Sequence, residues 1–305
     1  MMMTTPSPFV EHPELEPHEY TTPPPPSVVS RIEKASIPVN FNADGSPISG
    51  QQVMDIIRQY QDAVLLGFSL GKDSLAAWLT LREAGFKVIP FYMYRVPGLA
   101  YTQRIIDYYQ DYFKTEILQI PNPDLYHMLM RLAYQPPQNC AVIEAAELPS
   151  DIGYDTIMDA TREWLGLPYN FFVATGVRAV DNIERGMSVR KHGPINWSRQ
   201  IFWPVWDLRK DDLIALFHKH HVRLTVEYKW YGHSLGGMDY RYLQAIHDNV
   251  PDDWQRVLDY FPLAWLELAR YNEVGKWKEQ YIGTQENPDS EDDDAGEYDG
   301  GAGDS

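Results

Sequence analysis

Thiols are almost absent from this 305-residue chain, whose single cysteine is Cys140. An intramolecular disulfide framework is therefore excluded, and so is an iron–sulfur cluster held by several thiolates of this chain. Long apolar runs are missing as well. No stretch approaches the roughly 20 residues that a bilayer crossing requires, so no membrane attachment is expected. Residues 1–10 lack a basic flank leading into an apolar stretch; they do not read as a secretory signal, and a cytoplasmic protein is expected. Positive charge is scarce too, with 26 Lys and Arg against 43 Asp and Glu and a formal net charge of −17. No broad basic field exists to hold a nucleic-acid backbone, so nucleic-acid contact is expected only through a partner.

The acidity is unevenly spread. Nine acidic residues and no Lys or Arg fall within 285–305, which leaves about −8 on the remainder. That acidic, Gly-containing end (282–305) reads as a solvated tail. At the other end, residues 1–29 are rich in Pro, Thr and Ser and include the run Pro23, Pro24, Pro25, Pro26. Such a segment buries too little apolar surface to offset its ordering entropy and reads as a flexible arm with polyproline character. Either end could contact a protein partner; the proline run is a spacer or a ligand for an aromatic groove. The folded body is expected over 30–281, and a 44% hydrophobic composition is enough for a sizeable core.

Within the body, short apolar runs alternate with helical periodicity. Residues 63–68 (AVLLGF) form a run suited to a strand buried on both faces. Leu75, Trp78, Leu79 and Arg82 recur at helical spacing, and Gly85 stands where that helix would stop. Residues 87–93 read as a strand, 105–113 as a helix, 116–120 as a strand, 125–133 as a helix, 171–174 as a strand and 211–220 as an amphipathic helix. This rhythm predicts an α/β fold: a Rossmann-like, mostly parallel sheet with helices on both faces. Right-handed crossovers gather the loops at the strands' carboxyl ends on one edge, where a ligand belongs.

The most informative segment is Ser69-Leu70-Gly71-Lys72-Asp73-Ser74, between the first buried strand and its helix. Gly71 permits a tight turn, and the amides and dipole of a helix start favour an anion. Two hydroxyls and the Lys72 ammonium complete a socket for a pyrophosphate-like group. A Walker loop does not fit: Gly67 precedes Gly71 by one residue too few, and Asp73 replaces the hydroxyl that would meet magnesium.

The hexapeptide resembles the SGGxDS loop of the PP-loop ATP pyrophosphatase superfamily at five of six positions, with Leu70 where the family usually has a Gly. Further on, Ala174-Thr175-Gly176-Val177-Arg178 is similar to that superfamily's second signature and is followed by Asp181 and Arg185. The segment Trp203-Pro204-Val205-Trp206-Asp207-Leu208 resembles its late proline-apolar-aspartate stretch. Within that superfamily the chain resembles the branch of the phosphoadenosine phosphosulfate reductases. The resemblance implies an adenine nucleotide, ATP or phosphoadenosine phosphosulfate, with its phosphates on Ser69 to Ser74 and beside Thr175, Gly176 and Arg178. It also implies Mg2+, for which Asp73 is the candidate ligand; the alternative role for Asp73 is a helix-start carboxylate.

The branch's reductases attack sulfur with a C-terminal cysteine that this chain lacks, and Cys140 reads as an inert buried hydrophobe. What remains is cleavage or transfer at a nucleotide phosphate, an adenylation that releases pyrophosphate, with Lys72, Arg178 and Arg185 stabilising the developing charge. The alternative is a nucleotide sensor without turnover, or an accessory subunit of a nucleic-acid-modification system. The cluster Arg185, Arg190, Lys191, His192 either faces an anionic substrate or is solvated. His218 and His221 share helical spacing without completing a metal set. Trp203, Trp206, Trp230 and Tyr231 either stack on a base or pack in the core.

Overall fold

The computed structural model describes residues 39–149, 152–225, 227–228 and 237–281. The expected arm 1–29 and tail 282–305 lie outside these residues, as do Trp230 and Tyr231.

Six strands, β1 (Ala63–Gly67), β2 (Lys87–Tyr94), β3 (Leu118–Pro121), β4 (Val173–Thr175), β5 (Ile195–Asn196) and β6 (Ile201–Phe202), form one sheet in the order β3-β2-β1-β4-β6-β5. Every pairing is parallel except β5 with β6. The expected α/β class and mostly parallel sheet are therefore what the chain builds. In β1, Val64 and Leu66 enter one apolar cluster and Leu65 enters another on the opposite face. That is the burial pattern of a central strand covered on both sides, and it explains why β1 reads as a continuous apolar run.

The helices are α1 (Gly50–Arg58), α2 (Lys72–Glu83), α3 (Ala100–Phe113), α4 (Pro123–Met130), α5 (Pro137–Ala145) and α6 (Tyr154–Trp164), then α7 (Ile183–His192), α8 (Lys210–His220), α9 (Tyr240–Asn249), α10 (Pro251–Tyr260) and α11 (Trp265–Tyr281). Helices α1, α2, α3 and α8 feed the cluster on one face, and Met158 of α6 belongs to the other. A third cluster joins Val96, Leu99 and Tyr101 to α9–α11 through Leu243, Val257 and Phe261. Among the described residues, no helix is long and apolar enough to cross a membrane.

Several boundaries differ from the sequence reading. Helix α3 begins at Ala100 rather than 105, because Asp253 accepts the Ala100 and Tyr101 amides at 2.7 and 2.8 Å. A cap supplied from 153 residues away leaves no local trace. Helix α4 begins at Pro123, behind the Asn122 side chain that accepts the Asp124 amide at 2.9 Å. It ends at Met130, ahead of left-handed Leu132 and Tyr134. The segment 203–208 packs against the start of α1: Trp206 donates to the Ile48 carbonyl at 3.0 Å and Asp207 accepts the Gly50 amide at 3.0 Å.

Trp78 is fully buried and stacks on Phe113 with ring centroids 3.8 Å apart. Replacing it by Ala opens a large cavity under the sheet, and Trp78→Ala is expected to cost about 3–5 kcal/mol, read as a lowered urea midpoint with an unchanged denaturant slope.

Candidate functional site

Sheet order places the site. The chain moves from β1 outward to β2 and β3, then returns across β1 to β4, so the carboxyl ends of β1 and β4 flank the point where the winding reverses. A crevice opens at such a point in a parallel sheet. The segment Ser69 to Gly71 leaves β1 there, and Thr175-Gly176 leaves β4 beside it, with Gly67 paired to Thr175.

The loop is a strained turn that closes on itself. Leu70 adopts a left-handed backbone with φ 65° while its side chain is only 6% exposed. The resemblance puts a glycine here, and this chain keeps a glycine's conformation with a leucine, at a cost of about 1–2 kcal/mol that burial of the side chain offsets. The Ser74 hydroxyl accepts the Ser69 amide at 3.2 Å, donates to the Gly71 carbonyl at 2.9 Å, and lies 3.1 Å from the Ser69 hydroxyl. Helix α2 then starts at Lys72 with no side-chain cap from Gly71. The Lys72 amide donates to the Tyr228 hydroxyl at 3.0 Å.

Gly176 presses on the start of α2. A Cβ there would sit 2.5 Å from the Ser74 nitrogen and 2.6 Å from the Asp73 carbonyl carbon, so only glycine fits. Two residues on, Arg178 is 6% exposed, its Nε 2.6 Å from Asp73 Oδ1 as an ion pair without hydrogen-bond alignment, and its Nη2 donates to Asp181 at 2.8 Å. Arg185 pairs with the other Asp181 oxygen at 2.9 Å, and Lys72 Nζ lies 3.0 Å from Asp73 Oδ2. The sequence-predicted residues Lys72, Asp73, Arg178 and Arg185, with Asp181 between the two arginines, thus form one chain of alternating charge.

That chain bears on the expected magnesium. Both Asp73 oxygens face cations, and among the described residues no group of three or more His, Cys, Asp or Glu side chains could hold a metal. As arranged, Asp73 is a carboxylate already neutralised by two side chains and does not fit a Mg2+ ligand. Arg178 is likewise turned to carboxylates rather than to open space.

Beside the loop lies a cavity of about 500 Å³, lined by Ser69, Leu70 and Thr175 and also by Tyr92, Arg95 and Tyr101. The Thr175 hydroxyl is buried without a hydrogen-bond partner among the described residues. Glu227 and Tyr242 also line the cavity; the Tyr101 hydroxyl is 3.5 Å from Glu227 and 3.4 Å from the Tyr242 hydroxyl. Burial, then the charge of Glu227, pushes the Tyr92 phenol up to about 12. Burial likewise raises Tyr101 and Tyr242 well above the usual phenol range. Of the charged residues that line it, Arg95 pairs with Asp124 at 2.8 Å and Arg199 with Asp155 at 2.6 Å. Sequence reading missed this aromatic and charged wall. Its only local signal was the run of tyrosines in β2 and α3.

Other candidate residues stand apart from the cavity. Cys140 is half-buried on α5, a helix with no buried residue, which corrects the expectation of a core cysteine. It does not line the cavity. Arg190, Lys191 and His192 are exposed in the last turn of α7, where cations suit the helix dipole. His220 pairs with Glu83 at 2.7 Å, and His221 is the left-handed cap of α8. Trp203 and Trp206 do not line the cavity either.

No family model matches the chain, and no curated protein matches it. Solved structures similar to it include a phosphoadenylyl-sulfate reductase from Candida auris in a phosphate complex, at 12% identity and a TM-score of 0.40, covering 62% of this chain and 88% of that one. An NH3-dependent NAD synthetase from Campylobacter jejuni matches at 15% identity and a TM-score of 0.35, covering 74% and 94%. The U34-tRNA thiolase NcsA from Methanococcus maripaludis, with its [4Fe-4S] cluster, matches at 14% identity and a TM-score of 0.30, covering 66% and 71%. Likenesses this distant carry no functional argument, and the site's chemistry has to be read from its own residues.

Two outcomes follow from the geometry. Gly176→Ala forces the β4 turn away from α2 and is expected to cost about 1–3 kcal/mol or more in urea unfolding, with loss of any ligand held by the Ser69–Ser74 loop. Tyr92 stays protonated in the fold to about pH 12, whereas an unfolded chain ionises it near 10, so its contribution is complete below pH 10 and is lost as pH rises toward 12. Tyr92→Phe should therefore flatten the decline of the urea midpoint between pH 10 and 11.5 and leave its pH dependence near neutrality unchanged.

Proposed function

We propose that this chain is an adenine-nucleotide-binding protein of the PP-loop ATP pyrophosphatase kind, similar to phosphoadenosine phosphosulfate reductases but acting at a nucleotide phosphate rather than by thiol reduction. One observation carries the reading. A Ser-rich turn with a left-handed residue at its second position leaves the central parallel strand at the winding reversal and opens onto a cavity of about 500 Å³. A cavity of that size suits a ligand as large as a nucleotide, and the amides at the start of α2 suit its phosphates.

In this reading Lys72 performs the electrostatic step. Its side chain is 36% exposed, so the ammonium can exchange Asp73 for a polyphosphate while Asp73 stays paired with Arg178. The Ser69 hydroxyl and the Thr175 hydroxyl, which has no partner among the described residues, supply neutral donors beside it. An oxygen nucleophile of a second substrate attacks the α-phosphorus; the bond to the bridging oxygen breaks, and pyrophosphate leaves with its electron pair. Lys72 offsets the charge that accumulates on the leaving group. Arg178 and Arg185 act through Asp73 and Asp181, holding the loop rather than touching phosphate.

A second reading is favoured by the Tyr228 hydroxyl, which already occupies the Lys72 amide. Under it the cavity binds a nucleotide without turnover, as a sensor or accessory subunit would. Pyrophosphate release from ATP separates the two. The wild-type protein should release pyrophosphate, and Lys72→Ala should lower the rate roughly a hundredfold. Equal rates in both proteins would remove the loop from the reaction, and calorimetric ATP binding without release would favour the sensor.

A further inference from the structure

A second cavity, of about 450 Å³, shares Tyr101 with the first and is lined by α3, the stretch 223–225 and the turn joining α9 to α10. Arg104 and Arg223 both line it, and neither guanidinium has a carboxylate or hydrogen-bond partner among the described residues. The two arginines that line the first cavity are spoken for: Arg95 and Arg199 are held by Asp124 and Asp155. Thr225 is 5% exposed and lines the same space, and its buried hydroxyl has no partner among the described residues. Two unneutralised guanidiniums and an unsatisfied hydroxyl around one hollow are the donor set that an oxyanion requires.

The remaining wall is aromatic. Tyr101, Tyr108 and Tyr109 of α3 line the cavity, at helical spacings that bring Tyr101 and Tyr108 to the same face as Arg104. The wall is also fixed in place: the Tyr108 hydroxyl accepts the Arg223 amide at 3.0 Å, and the Tyr109 hydroxyl donates to the Arg223 carbonyl at 2.8 Å. These bonds leave the Arg223 side chain free to turn to a ligand. We propose that this cavity is a second, separate binding site for a phosphomonoester with a planar organic part. Its phosphate lies between Arg104 and Arg223, the Thr225 hydroxyl donates to it, and its ring packs on the α3 tyrosines.

Calorimetry of the full chain with adenosine 5′-monophosphate, and separately with inorganic phosphate, tests this. The nucleotide should bind, and more tightly than phosphate alone. Arg104→Ala and Arg223→Ala should each weaken it roughly tenfold to a hundredfold, the loss expected for one charge-assisted contact. Both side chains are exposed, so unchanged urea midpoints are expected and separate a lost contact from a lost fold. Lys72→Ala should leave this isotherm in place while removing ATP binding at the loop, so failure of either site is distinguishable from failure of the other. Nucleotide binding that is indifferent to both arginine changes, or phosphate binding as tightly as the nucleotide, would overturn the proposal.

Discussion

The contact on which the site depends is the approach of Gly176 to the peptide joining Asp73 and Ser74. Parallel pairing of β1 with β4 sends two chains out of the sheet side by side, one into a helix start and the other into a turn. A Cβ at Gly176 would lie 2.5 Å from the Ser74 nitrogen, so the two chains are as close as backbones can come. Once that separation is fixed, Arg178 falls within reach of Asp73, and Asp181 lies between Arg178 and Arg185. A guanidinium buried to this degree is tolerable only because two carboxylates face it. The charge network is therefore a consequence of strand pairing, and it returns the debt by fixing the orientation of the loop.

Leu70 shows how the same turn can be reached with an unfavourable residue. A left-handed leucine is strained, yet this one is drawn into the core beside Phe68 and Leu75. Burying a leucine contributes about 1.5–3 kcal/mol, comparable to or larger than the backbone cost. A glycine would lower the strain and lose the anchor. The loop here is thus less free than a two-glycine version, held from below by a side chain and from the side by Gly176. Such local departures from backbone preference gather at functional sites when the surrounding structure holds them in place.

What was legible in the sequence follows from how local its causes are. Strands β1 and β2 and helix α2 announced themselves because each carries its own periodicity and its own stop, Gly85 in the case of α2. The loop was legible because its six residues are contiguous. The start of α3 was not, since its cap is Asp253, and neither was the role of Arg178, since the carboxylates that claim it are placed by tertiary contact. The cavity wall is the extreme case. Tyr92, Tyr101, Glu227 and Tyr242 come from separate stretches of chain, and only the folded sheet edge assembles them. Segment 203–208 drew notice for its likeness to a proline-apolar-aspartate stretch, and in the fold its Trp206 and Asp207 secure the start of α1.

Tyr228 bears most directly on what the loop can do. Its hydroxyl accepts from the first amide of α2, the group that an incoming phosphate would also seek. A neutral acceptor and an anion compete unequally there, because a charge-assisted hydrogen bond is roughly twice as strong as a neutral one and the helix dipole adds to the anion's advantage. Displaced from the amide, the same hydroxyl has a proton to donate and can turn from acceptor to donor toward the oxygen that replaced it. Tyr228 and Glu227 are adjacent, and Glu227 lines the cavity while Tyr228 touches the loop. A ligand that spans both would therefore read this short segment at two points, its organic part against the Glu227 and tyrosine wall and its phosphates against Tyr228. Under the proposed function, selectivity for a nucleotide over bare pyrophosphate would then arise from the segment that also caps the loop.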